Sequence, residues 1–155
     1  MPVIFEARTE SHIEQVRYLL RAYRSDLPLQ VSVAQYDQEV EGLPGQYAQP
    51  QGTILLATVS GQPVGCVCLR PLAGAGLCEM KRLYVLPAFR GDVIGKRLIE
   101  QIIREARTRH YTRLRLDTNP PTMQAAITLY SRLGFIELSD VHDAVPGFLY
   151  MEFPL

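Results

Sequence analysis

EMKRLYVLPAFRGDVIGKRL, residues 79 to 98, is the stretch on which the fold turns. An apolar, β-rich run ends at Val85 and a short turn passes through Pro87. Then come Arg90-Gly91-Asp92-Val93-Ile94-Gly95-Lys96, and a helical pattern begins. Two glycines and several cations between a strand and a helix describe an anion site. Helix N-termini carry unpaired N–H groups and about half a unit of positive charge. Gly91 and Gly95 let the backbone approach a ligand closely, and Arg90, Lys96 and Arg97 add charge. A phosphate or pyrophosphate is the natural guest; the plainer alternative is a turn whose cations are solvated. A nucleotide P-loop needs four residues between its glycine and Gly-Lys, then Ser or Thr for magnesium. Here three residues separate Gly91 from Gly95, and Arg97 follows Lys96. The dinucleotide fingerprint G-x-G-x-x-G is absent as well.

Outward from this junction, the apolar residues Leu98, Ile99, Ile102, Ile103 and Ala106 lie on one helical face, which predicts a helix from about Gly95 to Thr108. Upstream, TILLATV, the turn SGQP and VGCVCLRPL form a hairpin, and AGAG leads into LCEMKRLYV. VIFEAR is a first strand. Ser11 with Glu14 opens a helix with the stripe Ile13, Val16, Leu19, Leu20 and Tyr23, which SDLPLQVS breaks. Ser32 with Gln35 opens a shorter one carrying Val33, Tyr36 and Val40. Downstream, RLRLDT is a strand, and NPPTMQ is a break whose prolines suit a helix entry. AAITLYSRL is a helix closed by Gly134, and FIELSD pairs with GFLYMEF. The order is β-α-α-β-β-β-α-β-α-β-β, an α/β (α+β) chain with a mixed sheet. Both YVLPAFRG and LDTNPPTMQ are strand-to-helix junctions at the carboxyl ends of neighbouring strands, where open α/β sheets bind ligands.

The bulk numbers restrict the class. A chain of 155 residues with 47% apolar and 21% charged residues reads as one globular domain over 1–155. Sixteen basic and sixteen acidic residues cancel, which argues against a nucleic-acid or membrane-surface partner. No apolar run approaches the roughly 20 residues of a membrane span. MPVIFEARTE lacks a signal-peptide layout, so a cytoplasmic protein is the expectation. Cys66, Cys68 and Cys78 form no CxxC pair and share no ligand spacing with His12, His110 or His142. They read as small core residues, with no metal.

With its neighbours, Arg90-Gly91-Asp92-Val93-Ile94-Gly95 resembles the signature Gln/Arg-x-x-Gly-x-Gly/Ala of the GNAT superfamily of acyl-CoA N-acyltransferases. The first and last positions match; Val93 replaces the middle glycine. CEMKRLYVLPAFRG, LRLDT and AAITLYSRLGF are each similar to bacterial members, and the element order matches across nearly the whole chain. The resemblance implies a central, mostly antiparallel sheet of about seven strands with about four helices, and acetyl-CoA as co-substrate. The pyrophosphate would lie on the backbone from Gly91 through Asp92, Val93, Ile94 and Gly95 to Lys96, with Arg90 and Arg97 adjacent. The pantetheine arm would pair with Leu83 and Val85, and the Asn119 side chain would reach the same arm, against the alternative of a turn or helix-entry residue before Pro120. The oxyanion donor would be the N–H of Leu83 or Tyr84. A homodimer is frequent among relatives.

Amine acylation makes three demands. The ammonium, with a pKa near about 10.4, must lose a proton. The thioester carbonyl needs donors aimed at its oxygen. The departing thiolate needs a proton, since thiols have a pKa of about 8.5. The resemblance puts Tyr130 in place as the acid, against the alternative of a helix tyrosine with its ring in the core. It puts Glu79 in place as a base acting through water, against the alternative of an ion pair with Lys81. His142 is a second choice as base. Asp26, Asp37, Glu39 and Glu41 would form an acidic rim for a cationic amine, and Asp140, His142 and Asp143 would lie near the substrate; solvated surface charge is the alternative for both. The implied activity is N-acetylation of a primary amine by direct attack in a ternary complex. A CoA-binding module without catalysis is the competing reading.

Overall fold

The structure, a computed structural model, describes residues 1–26, 29, 31–91, 93–119 and 124–155. In chain order it contains β1 (Val3–Glu6), α1 (Glu10–Asp26), α2 (Val33–Glu41), β2 (Thr53–Val59), β3 (Gln62–Pro71), β4 (Leu77–Val85), α3 (Ile94–Thr108), β5 (Arg113–Thr118), α4 (Gln124–Leu133), β6 (Ile136–Leu138) and β7 (Leu149–Pro154). This is the order expected from the sequence. Pro120 and Pro121, read as a helix entry, lie outside the described residues.

The seven strands form one sheet in the order β1-β2-β3-β4-β5-β7-β6. Every pairing is antiparallel except β4 with β5. The parallel pair is required by α3, which carries the chain from the end of β4 back to the start of β5.

Each sheet face buries its own core. On one face α3 presents Leu98, Ile99, Ile102, Ile103 and Ala106, all buried, to Leu55, Val67, Leu69 and Leu114, with Tyr130 and Phe135 in the same cluster. On the other, Val16, Leu19 and Leu20 of α1 and Tyr36 and Val40 of α2 pack on Leu56, Cys66 and Cys68. Cys66 and Cys68 therefore share the face that their spacing predicts, and burial pushes the Cys66 thiol up to about 12. Val33, read as part of the apolar stripe of α2, is instead exposed, because it begins the helix and turns outward.

The caps differ in one place from the sequence reading. Ser32 and Gln35 form the expected reciprocal box at α2. At α1 the box is shifted to Thr9 and His12: the Thr9 Oγ1 accepts the His12 N–H at 3.1 Å, and His12 Nδ1 accepts from the Thr9 N–H at 3.5 Å. Glu14 pairs with Arg17. An imidazole thus fills the place usually held by Glu or Gln. At the other end of the chain Gly134 adopts φ 113° after α4, the left-handed closure that glycine makes without strain.

Glu6 ties β1 to the rest of the molecule. Its carboxylate accepts from Arg8, from Gln49 at 3.1 Å, from Thr53 at 3.0 Å and from Arg109 at 3.0 Å. Burial works against the charge, but these donors outweigh it and hold the carboxyl at about 2 rather than 4.5. A depressed carboxylate stabilises the fold above its unfolded value and loses that contribution as pH falls through its folded value. Resistance to urea unfolding should therefore fall as the pH is lowered from 4.5 to 2. The Glu6→Gln variant, less stable at pH 7, should show a visibly flatter dependence over that window.

Candidate active site

The candidate site lies where β4 and β5 separate. Their parallel pairing joins Leu77, Cys78 and Glu79 to Arg113, Leu114 and Arg115 and goes no further. β4 runs on to Val85 and β5 to Thr118, so a fork opens toward their carboxyl ends. On the other side of β4, the Leu86 N–H bonds to Val64 O at 2.9 Å, and Val85 lies opposite Gly65. In an antiparallel ladder this register turns the N–H and C=O of Val85 away from β3 and toward the fork. Tyr84, opposite Cys66, faces β3 instead.

A bulge re-aims the middle of β4. Cys68 pairs with Lys81 and Cys66 with Tyr84, so three steps on β4 oppose two on β3. Arg82 takes up the extra residue with φ 60°, a left-handed conformation that costs a non-glycine residue on the order of 1 kcal/mol or more. Its guanidinium lies buried over the rings of Tyr36, at 5.0 Å, and Tyr23, at 5.7 Å. Its Nε and one Nη bond both oxygens of Glu39 at 2.8 and 3.0 Å.

The loop after β4 has the features of an anion cradle. Gly91 has φ 86°, which glycine adopts freely. Val93 caps α3 with φ −81°, an ordinary value, so valine fits without strain where the resembled signature has glycine. Its side chain accepts no hydrogen bond, and the first turn of α3 carries no acidic residue. The positive end of the helix therefore stays electrostatically open. A Cβ built on Gly95 would meet only Val85 Cγ2, at 3.9 Å. Lys96 is exposed beside the loop. Asp92 lies outside the described residues.

Two of the cations read from the sequence point elsewhere. Arg90 folds back over β4: its Nε donates to Val85 O at 2.8 Å, its Nη2 pairs with Asp26, and its guanidinium lies 5.3 Å from the Tyr84 ring. Arg97 donates to Pro2 O at 3.2 Å.

Between the arms of the fork lies a recess of about 30 Å³, lined on β4 by Lys81, Arg82 and Leu83, on β5 by Asp117 and Thr118, and by Asn119, Tyr23, Tyr130 and Phe148. That is room for about one water molecule. Tyr130 enters from α4 with its ring against Phe135, centroids 5.7 Å apart. Burial pushes its phenol upward, with Tyr23 and Asp117 adding to the effect, so the hydroxyl keeps its proton.

Residues 13–135 match the model of the acetyltransferase (GNAT) family. The chain belongs to the GNAT family. This acetyltransferase is 32% identical over 141 residues to an uncharacterized N-acetyltransferase of Schizosaccharomyces pombe, covering 90% of this chain and 86% of that one. It is 38% identical over 111 residues to an IAA acetyltransferase of Azospirillum brasilense, covering 70% and 71%. The crystal structure of an acetyltransferase from Streptococcus agalactiae superposes with a TM-score of 0.80 over 99% of this chain and 98% of that one; at 22% identity this shows the shared fold.

The structure thus brings Leu83, Val85, Gly91, Val93, Ile94, Gly95, Lys96, Asn119 and Tyr130 to one end of the sheet. Glu79 stands apart. Its carboxylate is buried and pairs with Arg70 Nη2 at 2.6 Å and Lys81 Nζ at 3.9 Å, and it does not line the recess. The geometry favours the ion pair over the base. Removing one partner of a buried pair costs about 3–5 kcal/mol. Glu79→Gln should lower the unfolding free energy in urea by about 3 kcal/mol while kcat stays within about tenfold of wild type. A kcat loss above about 100-fold in folded protein would restore Glu79 as base.

The acidic rim is neutralised. Asp26 pairs with Arg90, Asp37 with Arg24, Glu39 with Arg82, and Glu41 with Arg21. His142 and Asp143 face each other at 3.3 Å on the exposed loop after β6, outside the recess lining. Sequence reasoning did not single out Lys81, Arg82 and Asp117 for the site. The cue was available only in part: two adjacent cations in an apolar strand imply burial with partners, but the bulge that turns both to one face leaves no local signature.

Among the described residues, no helix is long and apolar enough to cross a membrane.

Proposed function

We propose that this acetyltransferase moves an acetyl group from acetyl-CoA to a primary amine by direct attack in a ternary complex, and that residues 1–155 act as a single cytoplasmic domain. The observation that carries this reading is the open N-terminus of α3, with clear space over Gly95, set beside the fork that Tyr130 enters. Acetyl-CoA supplies the activated acyl group. The amides from Gly91 to Lys96, with Asp92 among them, would hold its pyrophosphate, with the Lys96 charge adding to the helix end. Leu83 and Val85 offer their strand edge to the pantetheine arm. The Val85 carbonyl becomes available to that arm once Arg90 releases it. Asn119 lies across the fork from both. With the Tyr84 amide facing β3, Leu83 is the better oxyanion donor of the two.

The neutral amine attacks the thioester carbon, the C–N bond forms and the C–S bond breaks. The buried Tyr130 phenol, kept protonated, gives its proton to the leaving sulfur. The amine proton leaves through water in the recess. No metal takes part in this scheme, and neither nucleic acid nor membrane is a partner in it. The homodimer is a proposal by resemblance.

Calorimetric titration with acetyl-CoA, with ATP and NAD as controls, tests the reading. Saturable binding of acetyl-CoA alone is expected. Lack of acetyl-CoA binding would overturn it, and binding without turnover of any amine would favour the non-catalytic module.

A further inference from the structure

The charges around the recess form an alternating chain. Arg70 pairs with Glu79, Glu79 with Lys81, and Lys81 Nζ with Asp117 Oδ2 at 3.4 Å. Arg82 is matched by Glu39. Three cations and three carboxylates cancel, and most are well shielded: the side chains of Lys81, Arg82 and Glu79 are 10%, 6% and 9% exposed, and that of Asp117 16%. Of this chain only Lys81, Arg82 and Asp117 line the recess itself. The bulge at Arg82 is what places both cations there, on one face of β4, and it is held against its backbone cost.

We propose that the acceptor is a zwitterion, a free amino acid, whose carboxylate is taken by Lys81 with Arg82 behind it and whose ammonium is taken by Asp117. This deepens the acetyltransferase reading above and rests on it. A polyamine, which carries two or more positive charges near neutral pH, would leave buried positive charge uncompensated, since Asp117 is already matched by Lys81 and each rim carboxylate by an arginine. A dicarboxylate without an amine would leave the opposite imbalance. A zwitterion keeps the sum at zero while each of its ends meets the opposite charge. The two anchors lie on the two arms of the fork, and Tyr130 lines the same recess. A free amino acid would enter by parting the Lys81–Asp117 pair and widening a recess that otherwise has room for about one water, whereas a peptide N-terminus has no carboxylate beside its amine to offer Lys81 when that pair parts.

The test compares each of the twenty free amino acids with its own carboxamide, and adds spermidine and a short peptide, following thiol release from acetyl-CoA. At least one amino acid should exceed its amide by about 100-fold in kcat/KM, mostly through KM. In Lys81→Met that ratio should fall to within about threefold of one while the Kd for acetyl-CoA stays unchanged; Lys81→Arg should keep most of the ratio. Amides, spermidine or the peptide matching the best free amino acid would overturn the proposal and leave the acetyltransferase reading standing. So would an unchanged ratio in folded Lys81→Met. Titration of amino acids into the CoA-saturated wild-type protein supplies a readout without turnover, and absence of binding there also overturns it. Failure of acetyl-CoA itself to bind would instead sink the underlying reading.

Discussion

Gly95→Glu should abolish acetyl-CoA binding, with at least a 100-fold rise in Kd by calorimetry, and should leave the fold intact. Both halves follow from one geometry. A Cβ at position 95 meets only Val85 Cγ2 at 3.9 Å, so the substitution begins without a backbone clash. Its carboxylate falls in the first turn of α3, which carries no acidic residue, and a negative charge there stabilises a helix by about 0.3–1 kcal/mol. The melting temperature should stay level or rise slightly. The same carboxylate occupies the space proposed for the pyrophosphate and repels it. Loss of binding with an unchanged or higher melting temperature separates a blocked site from a damaged fold. Unchanged affinity would remove the loop from the cofactor site.

Tyr130→Phe should lower kcat by about 100-fold or more, the contribution typical of a positioned general acid, with the Kd for acetyl-CoA nearly intact. The ring packs against Phe135 and is buried, so phenylalanine keeps the core volume. Burial also keeps the wild-type phenol protonated well above neutral pH, so proton donation should persist across the working pH range. Single-turnover rates at saturating amine would isolate the chemical step. Full activity in the variant would remove Tyr130 from the mechanism and leave it as a core aromatic.

The relation between Arg90 and Val85 shows how a correct motif can mislead about a side chain. The residue stands at the first position of the loop signature, which assigns it to the phosphate. In the folded chain its guanidinium lies on Tyr84, Asp26 and the Val85 carbonyl. Its partner Asp26 is at the end of α1, 64 residues away in the chain. No local pattern reports such a contact. The four rim carboxylates tell the same story, each matched by an arginine 13 to 64 positions distant.

The sequence by itself determined the element order, the two strand-to-helix junctions, the buried face of α3 and the family. These rest on short-range physics: hydrophobic period, turn chemistry and the backbone freedom of Gly91 and Gly134. Even the small error at α1 was local, a histidine taking the part of a glutamate in the cap. Only the tertiary structure decided what the charged residues do. The pairing of Glu79 with Arg70 depends on the β3–β4 register, which sets the two residues opposite each other. The turn of Lys81 and Arg82 toward one face depends on a single extra residue in β4, and the meeting of Lys81 with Asp117 depends on where β4 and β5 part. A charge's role is set by the charges that burial brings within a few ångströms of it, and that neighbourhood exists only once the sheet has closed.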